Sequence, residues 1–461
     1  MKLADTHALT PLERRATASL ALIFALRMFG MFSILPVLAV YAQHLPGGNS
    51  PFLVGVALGI DGLAQACLQI PFGLLSDRYG RKRMIYIGLT LFALGSFVAA
   101  FATDIYAIIL GRLIQGTGAV AAAIIALTAD LTREEHRSKS MAVIGMSIGA
   151  TFAASMVLGP TLNHLIGVPG IFALTGVLAL CAMAVVAFVV PNPVTSRVHA
   201  DAETVPEQIT SVLMNVELQR LNFGIFSLHA AMRGLFVVIP LVLLNVGQLP
   251  LEQHWKVYLP IMSISFFAVI PAIIVAEKYG RMKPVFCSAV ALLFLATLLM
   301  AVFINNMTGV VITLFMFFLA FNLLEATLPS LVSKIAPAGS KGTAIGVYNS
   351  FQFFGLFLGG TLGGFLAQHV SSAGVFAFAA GLCGAWLLLA LSMRTPPKVK
   401  TRMFHVGTMN ETQARALSTA LLDITGVEEA VVIPSEGVAY LKVSMSEWDE
   451  SAALALMNKE S

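Results

Sequence analysis

Apolar runs of about 20 residues recur along this chain, and each is long enough to cross the hydrocarbon core of a bilayer. Counted by that rule there are about twelve. They fall near 16–41, 52–76, 83–102, 105–131, 137–165 and 168–190, then 219–246, 253–276, 283–304, 308–335, 341–369 and 372–393. Between the two sets lies a polar stretch, 191–218, with Pro191, Pro193, Asp201, Glu203, Pro206 and Glu207, which reads as a linker. The pattern predicts an all-α membrane protein with twelve transmembrane helices in two six-helix halves, 16–190 and 219–394. A composition of 57% hydrophobic and 11% charged residues excludes a soluble domain with a polar surface. Lys2, Asp5, His7, Glu13, Arg14 and Arg15 precede the first run, and no small-residue cleavage site follows it, so that run is expected to be a retained helix.

The basic residues give an orientation. Arg14, Arg15, Arg78, Arg81, Lys82, Arg83, Arg133, Arg137, Lys139, Arg197, Lys278, Arg281, Lys283, Lys334 and Lys341 all occupy alternate connections, which are therefore expected to face the cytoplasm together with both termini. Lys256 alone breaks the pattern. The formal charge of +4 records this orientation, so the lipid bilayer is the expected partner and nucleic acid is not. Cys67, Cys181, Cys287 and Cys383 sit inside apolar runs without CxxC spacing and read as packing residues, with no metal site implied.

Between the second and third runs stands Gly73-Leu74-Leu75-Ser76-Asp77-Arg78-Tyr79-Gly80-Arg81-Lys82-Arg83. Its cations cannot enter hydrocarbon, and Gly73 permits a close helix approach. Glu277-Lys278-Tyr279-Gly280-Arg281-Met282-Lys283 repeats it weakly at the corresponding place in the second half. The first stretch resembles the loop signature of the major facilitator superfamily of transporters. Arg112-Leu113-Ile114-Gln115-Gly116-Thr117-Gly118 resembles that family's Arg-x-x-Gln-Gly-x-Gly motif, and Gly145, Gly149 and Gly159-Pro160 resemble the fifth-helix motif of its drug/proton antiporters. Asn163 and His164 stand where that motif usually has small glycines, and Arg27 stands where many such antiporters carry an acid. With its soluble tail the chain is similar to the YajR-type branch of bacterial inner-membrane transporters.

Several polar residues inside the apolar runs are candidates for chemistry, because a charge at membrane depth is costly and usually faces the bundle interior. Glu325 lies about 13 Å from the cytoplasmic end of its helix, near the midplane, and is the first proton-site candidate; a structural acid is the alternative. Asn322 precedes it on the same face and Pro329 frees its carbonyl. Asp61, Gln65 and Gln69 form a stripe that either lines a cavity or bonds a neighbouring helix. Arg27 and Arg112 need a counter-charge or a cavity, and either could hold an anionic or polar substrate group or form an internal ion pair. The motif that Arg112 and Gln115 match is associated with proton coupling. His229 and Arg233 are neighbours one helical turn apart, the histidine being a proton carrier or a packing residue. Gly73, Asp77, Arg78, Gly80, Arg81 and Lys82, with Gly149, Gly159 and Pro160, are expected to gate rather than to touch substrate.

From Lys398 to Ser461 six basic and nine acidic residues accompany a run too polar to span, which marks a small soluble domain. Its spacing reads βαββα, a ferredoxin-like sandwich, and the absence of cysteine disfavours metal delivery. Regulation, docking of a protein partner or self-association remain as its roles.

The resemblance implies a proton-coupled secondary transporter that exports small amphiphilic or drug-like compounds by alternating access, driven by the proton gradient and without a cofactor. A specific metabolite exporter or importer, or a non-transporting sensor with a soluble output domain, are the alternatives. An enzyme or ATPase is not expected, because the sequence has no Gly-x4-Gly-Lys-Ser/Thr pattern and its short loops carry no HExxH or GxSxG.

Overall fold

The computed structural model describes residues 9–192, 204–396, 399–407, 409–434, 437–444 and 448–460. Lys2, Asp5, His7, Pro193, Arg197, Asp201, Glu203 and Lys398 lie outside the described residues. The elements are α1 (Pro11–Ser33), α2 (Leu35–Ala42), α3 (Pro51–Tyr79), α4 (Arg81–Ala100), α5 (Ile105–Thr117), α6 (Ala121–Leu131), α7 (Glu134–Phe188), α8 (Pro206–Met214), α9 (Val216–Asn245), α10 (Trp255–Lys278), α11 (Met282–Phe303), α12 (Met307–Ile335), α13 (Lys341–His369) and α14 (Ser372–Leu391). The tail adds β1 (Val399–His405), α15 (Glu411–Leu422), β2 (Val427–Ile433), β3 (Val438–Ser444) and α16 (Glu450–Glu460).

Eleven helical stretches are long and apolar enough to cross a membrane. One of them, Lys139–Phe188, has 50 residues, about 75 Å of helix and more than two hydrocarbon thicknesses. It folds back at Gly167, whose φ of 69° is not helical. Both its ends therefore meet the start of α1: Thr17 bonds Ser140 at 2.8 Å, and Arg15 donates to the Val189 carbonyl at 2.8 Å. Twelve spans result, in agreement with the expected fold class. Two of them are broken, the first at Ile34 between α1 and α2, the fourth between Thr117 and Ala121 after the Arg112 motif. The stretch read as a linker holds a helix of its own, α8, which begins on Pro206.

Lipid tails are as apolar as leucine, so helix association rests on close packing and interhelical polar contacts. Glycine supplies the packing where the halves meet. A Cβ on Gly55 of α3 would stand 2.2 Å from the Gly360 carbonyl oxygen of α13, and one on Gly62 would stand 2.6 Å from that of Phe353. Toward the other end of the same helices, α3, α6 and α13 line a cavity of about 30 Å³ beside Thr204.

The tail follows the expected βαββα order, with strands arranged β1-β3-β2 and all antiparallel. Strand alternation sorts its apolar residues onto two faces. Ala439, Leu441 and Val443 pack with Leu417 and Leu421 of α15 and with Ala453 and Met457 of α16. Val438 and Tyr440, on the other face, pack with Ala338 in the connection between α12 and α13. The sheet is thus buried on both faces, which explains the unbroken apolar run Val438-Ala439-Tyr440-Leu441. Glu429 fixes the contact: its Oε1 accepts from the Ala338 amide at 2.9 Å, and its Oε2 pairs with Lys442 at 3.0 Å.

Candidate functional site

The polar residues on the spanning helices meet in one chain of contacts across the seam between the halves. Asp61 of α3, fully buried, pairs with Arg112 of α5 at 2.8 Å and with Arg233 of α9 at 3.7 Å. The first partner belongs to its own half, the second to the other. Arg112 also donates to the Ala57 carbonyl and to Gln115 Oε1, each at 3.2 Å, and Gln115 donates to Ser96 at 2.8 Å. Arg27 of α1 donates through Nη2 to Gln65 Oε1 at 2.9 Å and to the Gly118 carbonyl at 3.0 Å, where the break before α6 exposes that oxygen. Its guanidinium carbon lies 5.3 Å from the centre of the Phe92 ring.

One turn before Arg233, His229 stands with Nε2 3.4 Å from Glu325 Oε1 of α12 and 2.8 Å from Gln352 Nε2 of α13. Its Nδ1 faces the Ile225 carbonyl at 3.3 Å. The wall beside it is aromatic: Phe321 lies 5.8 Å from the imidazole, and Phe152 of α7 lies 5.9 Å from Phe321. Helix α9 therefore carries both ends of the network, His229 toward Glu325 and Arg233 toward Asp61. Asn322 stands apart and donates to Ser265 of α10 at 3.0 Å. Of the glutamine stripe, Gln69 lines the small cavity near Asp77 instead of joining the network.

Of the expected gating residues, Gly73, Asp77, Arg78, Gly80, Arg81 and Lys82 gather at the basic end. Gly80 ends α3 at φ 97°, a conformation that glycine adopts freely, and so permits the sharp passage into α4. Arg81 holds Asp77, donates to Ser76 Oγ at 2.9 Å, and reaches Asp130 of α6 at 3.3 Å. Arg78 stacks over its neighbour Tyr79, and Lys82 donates to the Val190 carbonyl and Asn192, each at 2.7 Å. A Cβ on Gly73 would meet that of Ala122 at 3.3 Å, the close approach expected of this glycine. Gly159, followed by Pro160, lies against the Ser33 carbonyl where α1 breaks, whereas among the described residues nothing stands within 4 Å of a Cβ on Gly149, so tight packing does not account for that residue. In the second half Glu277 takes the corresponding place, paired with Lys334 at 2.7 Å.

Sequence reasoning missed Gln352, Ser96 and Phe92. Gln352 had a signal, an amide within the apolar run 341–369.

Comparison with known proteins gives concordant results. The family profile of the Major Facilitator Superfamily matches residues 20–360 and 221–417. The chain is 45% identical over 439 residues to the inner membrane transport protein YajR of Escherichia coli, covering 95% of this chain and 96% of that one. It is 23% identical over 383 residues to the quinolone resistance protein NorA of Staphylococcus aureus, covering 78% and 92%. The crystal structure of a bacterial homologue of the human lysosomal transporter Spinster, inward-facing and occupied, has a TM-score of 0.66 at 13% identity, covering 83% of this chain and 95% of that chain.

Proposed function

The chain belongs to the major facilitator superfamily, and from that premise we propose that it is a proton-coupled secondary transporter that exports small amphiphilic compounds across the bacterial inner membrane, its basic face cytoplasmic. The observation that carries this reading is that α9 holds both His229, 3.4 Å from Glu325 of α12, and one turn later Arg233, 3.7 Å from Asp61 of α3. A proton on the pair can sit in two ways. On Glu325, the acid O–H points at a neutral His229 Nε2; on His229, the imidazolium N–H points at a carboxylate, and Gln352 turns its amide oxygen toward the ring. Release of that proton leaves an ionised Glu325 beside a neutral His229 and so changes the charge beside α9, and α9 also carries the guanidinium that bonds the opposite half.

Alternating access needs the two halves to part at the seam, and protonation that weakens or strengthens one cross-seam contact biases that equilibrium. Distant likeness to a quinolone resistance protein and the aromatic wall at Phe152 and Phe321 support an amphiphilic cargo. The test is accumulation of a labelled amphiphile in sealed proteoliposomes under an imposed pH gradient. Uptake that collapses on addition of a protonophore supports the reading; uptake indifferent to the gradient refutes proton coupling.

A further inference from the structure

The charges at the seam do not balance. Arg27, Arg112 and Arg233 are each at most 2% exposed, and among the described residues the carboxylates that face them across the network are Asp61 and, through His229, Glu325. Even with both acids ionised, three guanidiniums face two carboxylates, and with Glu325 protonated they face one. A buried cation with no counter-charge has lost its hydration without recompense, so the surplus calls for an anion.

The guanidiniums also have donors to spare. Arg27 is tied down by Nη2 alone, and its Nε and Nη1 find no hydrogen-bond partner among the described residues. Arg233 reaches Asp61 by Nη2, and its Nε and Nη1 are likewise without one. Buried donors are ordinarily satisfied, because an unmade hydrogen bond to a charged group costs more than the bond gains. These four nitrogens lie on α1 and α9, one helix from each half. The Phe92 face and the wall of Phe152, Phe318 and Phe321 supply apolar surface beside them.

We propose that the cargo of this site is an amphiphilic organic anion, its carboxylate, sulfonate or phosphate group held between Arg27 and Arg233 and its apolar body against the phenylalanine wall. The proposal rests on the transport reading for the direction and energetics of movement, but binding of the anion stands independently of it. Planar forked donors suit a two-oxygen acid group, and Arg27 and Arg233 supply one such fork from each half.

The test uses the full chain in lipid nanodiscs and a ligand series on one scaffold: 2-naphthoate, 2-naphthalenesulfonate, the neutral 2-naphthamide and the cationic 2-naphthylmethylammonium. The anions are expected to bind saturably and at least about tenfold more tightly than the amide or the ammonium, as charge-assisted hydrogen bonds would give. Arg27→Gln and Arg233→Gln should each weaken anion binding about tenfold, with Arg27→Lys falling between. If the glutamine variants do not insert, the ligand series on the parent chain decides. Preference for the ammonium, equal binding of all four compounds, or stabilisation by chloride with no naphthoate or naphthalenesulfonate binding would each overturn the proposal, the last by leaving an inorganic counter-ion only. Anion binding without flux in proteoliposomes would uphold the anion site and count against the transport reading, so the two fail separately.

Discussion

Asp61 answers two guanidiniums from opposite halves, which makes it the residue on which the buried network most depends. Removing one partner of a buried pair leaves the other charge uncompensated, at a cost of about 3 to 5 kcal/mol. Asp61→Asn is therefore expected to destabilise the protein by an amount of that order. Reaction of the buried thiols Cys287 and Cys383 with a thiol dye on heating would read it as a lowered unfolding temperature. Retention of the parent temperature would show that Arg112 and Arg233 find other partners. At this scale the sequence was informative about identity and silent about pairing. An acid and two glutamines at helical spacing mark a buried stripe, but Asp61 turns to α5 and α9, Gln65 to α1, and Gln69 to the basic end, choices set by long-range packing. His229 and Arg233 were legible as neighbours on one helix; that His229 meets Glu325, 96 positions away, was not.

Among the elements, α3 and α13 bring the halves closest, through glycines whose neighbours are backbone atoms that cannot rotate away. Gly360→Leu should push the pair apart by a few ångströms, toward the ordinary interaxial distance of about 8 to 10 Å. Distances between spin labels at positions 53 and 366 would lengthen; unchanged distances would mean that the seam yields elsewhere. At the opposite end of α3, Asp77→Asn removes the charge that Arg81 holds within its own turn and leaves Asp130 as the acid opposite it. Transport is expected to fall about tenfold, equivalent to about 1.4 kcal/mol, with insertion unchanged. Full activity would remove the gating role of the loop. Turn chemistry made that loop legible, since Gly80 and a basic cluster require a sharp exit from the membrane. The breaks at Ile34 and after Thr117 had local signals, Pro36 two residues past the first and Gly116 and Gly118 flanking the second, which a count of apolar run length passes over. Helix α8 had a signal that a polar composition obscured: Pro206 at a helix start, then Ile209, Val212 and Leu213 at helical spacing.

In the whole molecule, the tail is joined to the transporter by more than its chain. The connection from Ala336 to Ser340 is gripped from two sides, by Glu429, Val438 and Tyr440 of the sheet and by Gln208 of α8, which donates to the Gly339 carbonyl at 2.9 Å and pairs with Thr343 at 3.0 Å. That connection leads into α13, the helix of the glycine seam. Deletion of residues 398–461 should leave transport measurable while exposing the 336–340 connection to a protease added from the basic side; loss of all inserted protein would show instead that the tail is needed for folding. The tail's strand order was readable from alternation, but its second buried face appears only with the transporter beneath it.

On the proposed reading a proton at the Glu325 and His229 pair is exchanged for cargo through α9. Proton movement out of sealed proteoliposomes on addition of cargo tests it most directly, comparing the parent with Glu325→Gln, a substitution that keeps shape and removes the exchangeable proton. Cargo-induced proton flux is expected in the parent and none in the variant. Equal flux in both would contradict it and place the exchanged proton elsewhere in the network.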